Sequence, residues 1–265
     1  KLHTKAGGIR HLEAGCLALA SLAGRSCHGL DGWLTAMRGE PQTDAKPTTC
    51  PPWYAAADGQ PAPTLPRTLT GEELAIAIAM LKRVSEQAAI TCVDLGAEVI
   101  FEDRFNQMVA ATRSKAAMSF TFVARHLQTI WQRFGKHHPF VAVDRQSGRT
   151  HYRQPLALSF PDVHLRILEE ADHRSAYRLE QGDCRMTIVF QVDGESSHLP
   201  TAVASMTAKY TRELLMECFN AYFTRHVPAV KATAGYGTDG KRFWNDIQPH
   251  LAKLGIDGTQ LRRCT

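Results

Sequence analysis

The most constraining stretch of the chain runs from Val192 to Phe243. An apolar run, Met186 to Val192, delivers Glu195 into the short polar turn Gly194-Glu195-Ser196-Ser197. A helix is then expected to start near Pro200, where the missing N–H of proline costs nothing. It runs to about Arg225 and carries Lys209, Arg212 and Glu213 along its early turns. Gly235-Tyr236-Gly237-Thr238 then forms a tight turn that presents Tyr236. A strand-end acid, a cationic helix and an aromatic on a turn suit an anionic, metal-bound ligand.

Upstream, Pro139 to Val143 is a short, continuous apolar run of the kind buried inside a sheet. Asp144 follows at its C-terminal end, where open α/β sheets place their ligand sites. Asp-Arg-Gln-Ser-Gly (144–148) is equally good turn chemistry, so the residues alone leave Asp144 open between a ligand and a cap. Arg145, Arg149 and Arg153 suit either a phosphate groove or a solvated hairpin. Between His164 and Val192 the alternation predicts strands over 164–168 and 186–192, with a third over 176–180. Glu169, Glu170, Asp172 and His173 are read as a charged hairpin tip in preference to a metal cluster.

The remaining periodicity is mainly helical. Ile9, Leu12, Cys16, Leu19 and Ala23 mark one helix, and Leu74, Ile78, Leu81 and Val84 another, capped by Thr70. Ile90 to Phe101 reads as a strand. Asp103 opens a long helix to Trp131 that Gly135 ends, and Asp239 N-caps a last helix over Phe243 to Leu254. Residues 31–70 hold seven of the thirteen prolines and read as a long loop. Within it, Trp53 and Tyr54 suit a base-stacking platform or an aromatic plug; the plug is preferred, because such rings bury wherever a partner exists.

Composition narrows the function classes. No apolar run approaches the roughly 18 residues of a membrane span. A net charge of +5 permits a polyanionic partner without demanding one. Seven scattered cysteines, with no Cys-x-x-Cys, argue against zinc and against a disulfide framework, and favour a reducing compartment. Neither a phosphate-binding Gly-x-x-x-x-Gly-Lys loop nor a Gly-x-Ser-x-Gly elbow occurs.

Several of these segments, taken in order, resemble ribonuclease HII. Ala204-Ser-Met-Thr-Ala-Lys-Tyr-Thr-Arg-Glu213 is similar to that family's Ala-Ser-(Ile/Leu)-x-Ala-Lys-x-x-Arg-(Asp/Glu) helix. Glu195 occupies the position of the family's fourth acid, ten residues before the serine. Gly235-Tyr236-Gly237-Thr238 resembles its Gly-Tyr-x-Thr turn, and Phe140 to Asp144 resembles the strand ending in the third catalytic Asp. Asp103-Arg-Phe-Asn106 is similar to its Ile-Asp-x-Leu-Asn helix start, and Lys1-Leu2 to the tail of its Asp-Ser-Lys-Lys-Leu. Two departures accompany the likeness. The fourth acid is Glu where the family has Asp, and the Asp-Glu-Ala-Gly strand has no counterpart in the chain.

The resemblance implies an α/β fold, a ribonuclease H-like mixed sheet flanked by helices, N-terminally truncated, with a Pro-rich insertion and a C-terminal helical part. The expected segments are an N-terminal helix (1–30), the Pro-rich insertion (31–70), the ribonuclease H-like core (71–226) and a C-terminal turn and helix (227–265). The implied activity is phosphodiester hydrolysis of RNA in RNA–DNA hybrids, or at ribonucleotides embedded in DNA. Asp144 and Glu195 would be the catalytic, metal-binding acids, holding two divalent ions, Mg or Mn. Lys209, Arg212, Tyr236 and Arg145 would contact nucleic acid, and Tyr236 would read the ribonucleotide. A cytoplasmic monomer without membrane contact is expected. With two of the four acids missing, the chain as it stands is expected not to cleave; a non-catalytic nucleic-acid-binding protein of the same fold is the alternative.

Overall fold

The computed structural model describes residues 8–38, 50–55, 63–146 and 148–264. The chain divides into two compact units. One comprises Lys1–Asp103 and Met206–Arg263; the other comprises Arg104–Ser205 with Cys264 and Thr265. The architecture is mixed α/β, as expected from the sequence.

The second unit is built on a four-stranded sheet with β1 (Phe140–Asp144), β2 (His164–Glu170), β3 (Arg174–Gln181) and β4 (Cys184–Gln191) in the order β1-β4-β3-β2. β2, β3 and β4 form an antiparallel meander, and β1 lies parallel to β4. Parallel pairing requires a crossover, which here contains a short helix, α6 (Arg153–Ser159), and the β2–β3 hairpin. One sheet face supplies Val141, Val143, Leu165, Tyr177, Leu179, Met186, Ile188 and Phe190 to a core completed by Phe120, Leu127, Tyr152 and Leu156. Tyr152 stacks flat on Phe190, ring centroids 3.6 Å apart. The predicted hairpin tip is where Glu169 pairs with Arg174 across the β2–β3 turn.

The helix predicted from Asp103 to Trp131 is two helices, α4 (Glu102–Thr112) and α5 (Lys115–Phe134). Arg113 adopts φ +50° between them, and Ser114 caps the second by accepting from the Ala117 N–H at 3.1 Å. A good N-cap in mid-pattern ends one helix and begins another, although the apolar period runs through it.

The other unit is helical. Its elements include α1 (Gly8–Leu22), α2 (Leu30–Arg38), α3 (Gly71–Gln87), the Met206-onward part of the long helix α7 (Leu199–His226), and α8 (Gly237–Leu251). α3 starts on a full capping box between Thr70 and Glu73. Three expectations change. The stretch read as loop from residue 31 carries α2, because its prolines begin only at Pro41 and Leu30, Trp33 and Met37 make one buried stripe; residues 39–49 and 56–62 of that stretch lie outside the described residues. Residues 90–101 pair with no strand among the described residues; Ile90 and Val93 are exposed, and of these twelve only Leu95 and Phe101 are buried. Asp239 lies within the first turn of α8 instead of capping it. Trp53 and Tyr54 are buried, Tyr54 stacked on Phe101 with its hydroxyl donating to Glu102, as an aromatic plug requires.

Candidate functional site

Parallel pairing of β1 and β4 sets the C-terminal ends of both strands on one edge of the sheet, with Asp144 opposite Gln191. The chain leaves β4 through Asp193, whose φ of +51° is one that Asp adopts more readily than bulkier residues. It then makes one 3-10 turn, Gly194–Ser196, before α7. That turn folds back against β1: a Cβ on Gly194 would lie 3.9 Å from Asp144 Oδ1 and 3.5 Å from the Thr201 methyl. Thr201 also donates to the Ala142 carbonyl at 3.3 Å, docking the start of α7 on β1. The backbone bearing Glu195 is therefore adjacent to Asp144, and both carboxylates are exposed.

Arg145 follows Asp144 and is committed to the same edge. Its N–H donates to the Gln191 carbonyl at 2.9 Å and its guanidinium to the Asp172 carbonyl at 2.5 Å, which ties the β2–β3 tip down. Arg149 lies over the rings of Phe120 and Tyr152, and the Tyr152 hydroxyl accepts the Gln146 N–H at 3.0 Å. These contacts hold the loop after Asp144 in place.

The other unit holds Lys209, Arg212 and Tyr236. Gly235 and Gly237 flank Tyr236 at φ +77° and +50°, values a side chain would strain. Asn220 on α7 holds the entry to this turn with a reciprocal pair, donating to the Thr233 carbonyl and accepting its N–H at 3.0 and 2.9 Å. Asp239 accepts from the Thr233 hydroxyl at 2.6 Å and the Ala234 N–H at 2.8 Å, while Arg242 braces its other oxygen at 2.7 Å. The Thr233 hydroxyl, Arg242 and the Ala234 N–H together hold the Asp239 carboxyl down at about 2. Tyr236 is 64% exposed on this braced turn, and the Arg212 guanidinium lies over its ring, 4.1 Å from the centroid. Arg212 is itself steered by the Ala234 carbonyl and by Glu213 at 3.0 Å. Lys209, one helical turn away, is half-buried; among the described residues its ammonium has no ion pair or hydrogen bond.

One buried acid escaped the sequence reading. Glu13 on α1 is fully buried and receives the N–H groups of Arg67, Thr68 and Leu69 and the hydroxyls of Thr68 and Tyr210, all within 3.1 Å. Burial pushes its carboxyl up, but the Thr68 hydroxyl, the two leading N–H donors and Tyr210 together bring it below its usual range. Glu13 falls one residue after Leu12 and three before Cys16, so the apolar period already put it on the buried face. Its partners, distant in sequence, gave no such signal.

No known protein family, curated protein or solved structure matches the chain. Among the described residues no three of His, Cys, Asp and Glu converge on a metal position, and no helix is long and apolar enough to cross a membrane. Mg²⁺ commonly takes only one or two carboxylates and completes its shell with water and substrate phosphate, so a pair such as Asp144 and Glu195 has the donor chemistry for a hard divalent ion.

Proposed function

We propose that this protein is a metal-dependent nuclease of ribonuclease HII type, acting on RNA in RNA–DNA hybrids or at ribonucleotides embedded in DNA. The observation that carries the reading is the adjacency of Asp144 and the Glu195 turn at one sheet edge, created by the parallel β1–β4 pair. These two acids would hold Mg²⁺ or Mn²⁺, which when bound supplies charge stabilisation to a phosphodiester and an activated water.

The chain's own residues have separable tasks. Asp144, at the end of a paired strand, and Glu195, on a turn packed against it, would supply the two carboxylates. Arg212 offers a guanidinium to phosphate, and Lys209 adds a second cation one helical turn away. Tyr236, exposed on a turn braced by Asn220 and Asp239, offers a face for a sugar or base and a hydroxyl for a ribose 2′-OH. Arg145, held by the Asp172 carbonyl, is better suited to fixing the edge than to reaching substrate. The longer Glu in place of the family's Asp is accommodated by an exposed turn.

The test is binding and hydrolysis of an end-labelled hybrid and of a duplex with one ribonucleotide, with Mg²⁺, with Mn²⁺ and with chelator. Ion-dependent hybrid binding that is lost in Asp144→Asn and in Glu195→Gln is the expected result, and with two of the four acids that the resemblance implies, this chain is expected not to cleave. Ion-independent hybrid binding without cleavage would move the assignment to a non-catalytic binding protein. Cleavage unaffected by both substitutions would remove Asp144 and Glu195 from the site.

A further inference from the structure

We propose that the sheet face opposite the core carries a second contact for nucleic acid, formed by Arg166, Arg178 and Phe140, that grips one strand by a phosphate and a base. The inference rests on the nucleic-acid partner of the reading above, but on none of that reading's residues.

Register places the three together. Arg166 of β2 pairs with Arg178 of β3, Arg178 with Thr187 of β4, and Thr187 with Phe140 of β1. Directly paired residues point to the same side of a sheet, so all four form one cross-strand row. Their sequence neighbours Leu165, Tyr177, Leu179, Ile188, Met186 and Val141 face the core, which puts this row on the opposite face.

Among the described residues of the unit, nothing pairs with this row's charges. Like charges directly opposite on adjacent strands are unfavourable. The neighbouring row handles its charge differently: there Glu180 stands opposite Arg185 and the two pair at 3.0 Å. No such acid accompanies Arg166 or Arg178; among the described residues neither guanidinium has an ion pair or a hydrogen bond. Arg178 Nε is shut off from water and still lacks an acceptor. A buried N–H without a partner is normally eliminated from folded proteins. An anion seated between the two guanidinia would supply the missing acceptor and relieve the repulsion at the same time.

Phe140 decides which anion. It lies 56% exposed two strand spacings from Arg178, about 10 Å across the sheet, with the His198 ring beside it at 5.8 Å. A base stacks on an exposed ring of either kind while the phosphate of the same or the next nucleotide reaches the arginine pair. A free phosphate has no use for the ring, whereas a nucleic acid strand uses both. The chain's net charge of +5 favours the same partner.

The experiment is fluorescence anisotropy of the full chain with a labelled single-stranded oligonucleotide and with a hybrid, over a salt series. Arg166→Gln/Arg178→Gln should weaken single-strand binding at least tenfold and reduce the salt slope by about 0.7, the value for one phosphate contact on a single strand. Arg178→Lys, which keeps the charge and loses the fork, should weaken binding while leaving the slope. Phe140→Leu should lower affinity with the slope unchanged. Because the substitutions remove repulsion, the double variant should melt no lower than wild type, which guards against loss of fold. Unchanged affinity and slope in the folded double variant would overturn the proposal. So would displacement of the strand by inorganic polyphosphate together with an indifferent Phe140→Leu, since that pattern marks a polyanion site without base contact. If Arg212→Ala and Tyr236→Ala abolish hybrid binding while the Arg166/Arg178 pair does not matter, the nuclease reading stands and this inference falls. Wild-type protein that binds no nucleic acid removes both.

Discussion

Glu13 and Glu195 show how differently the same side chain behaves in two settings. Glu13 satisfies five donors in the interior, so Glu13→Ala strands buried N–H and O–H groups and should cost about 3 kcal/mol or more. Tyr210→Phe removes one of those bonds and should cost about 1 kcal/mol. Urea denaturation measures both. Because the folded Glu13 carboxyl lies below its usual value, its contribution is complete at neutral pH and fades as pH falls through the folded value. Denaturation midpoints of wild type should therefore drop in acid more steeply than those of Glu13→Gln. Glu195 is exposed and braced by nothing comparable, so Glu195→Gln should leave the metal-free melting temperature unchanged or slightly higher. It should remove most of the stabilisation that Mn²⁺ adds to wild type, and Glu195→Asp should retain part of it. Identical metal responses in wild type and Glu195→Gln would exclude Glu195 as a ligand. That Asp144 closes one apolar strand and Glu195 follows another was legible in the sequence. Their adjacency was not, since it depends on β1 lying parallel to β4 across an intervening hairpin.

At the scale of elements, the Tyr236 turn is the clearest case of a motif held by chemistry outside it. The sequence marks Gly235 and Gly237, and their positive φ values bear that out. The brace comes from Asn220, thirteen residues back, and from Asp239, whose expected role as a cap proved to be a reach back to Thr233 and Ala234. With its folded value near 2, below the ordinary 3.8, Asp239 stabilises the turn fully above about pH 4 and loses it as pH falls toward 2. Amide exchange at Ala234 and Gly235 should accelerate over that window, and Asp239→Asn should show fast exchange at every pH. Protection that ignores both the acid and the substitution would leave the turn without this brace. The same principle explains the misread elements. Residues 90–101 have strand-like alternation but find no ladder, and the helix break at Arg113 follows from the cap chemistry of Ser114 overriding an unbroken apolar period. Local pattern gave the element types wherever packing agreed with it, at the capping box of α3 and through the β2–β4 meander.

At the scale of the whole molecule, the two compact units are not each one continuous stretch of chain. Residues 104–205 form one unit inserted between the two stretches that make the other, and no local signal marks where the chain departs or returns, because α4 (Glu102–Thr112) and α7 each run through a boundary. The candidate residues follow that division, with the carboxylates in the inserted unit and Lys209, Arg212 and Tyr236 in the other. The nuclease reading requires both sets to act on one ligand, and this can be measured on the intact chain without assuming any arrangement. Lys209→Ala removes a cation that has no partner among the described residues. If it meets phosphate, the substitution should weaken hybrid binding alike for all sequences and lower the salt slope by about 0.9. Tyr236→Phe keeps the ring over which Arg212 lies and removes only the hydroxyl. It should therefore leave affinity for all-DNA duplex unchanged and reduce the preference for a hybrid by about fivefold, the loss of one hydrogen bond of about 1 kcal/mol to a 2′-OH. Tyr236→Ala should also lower affinity for the all-DNA duplex, because the stacking surface is gone. An Asp144→Asn background provides the coupling test: if the ion-dependent part of hybrid affinity and the Tyr236 discrimination belong to one site, the preference for ribose should shrink when the metal is chelated. Discrimination by Tyr236 that persists unchanged in chelator and in Asp144→Asn would separate the two sets of residues and leave the protein a ribose-selective binder.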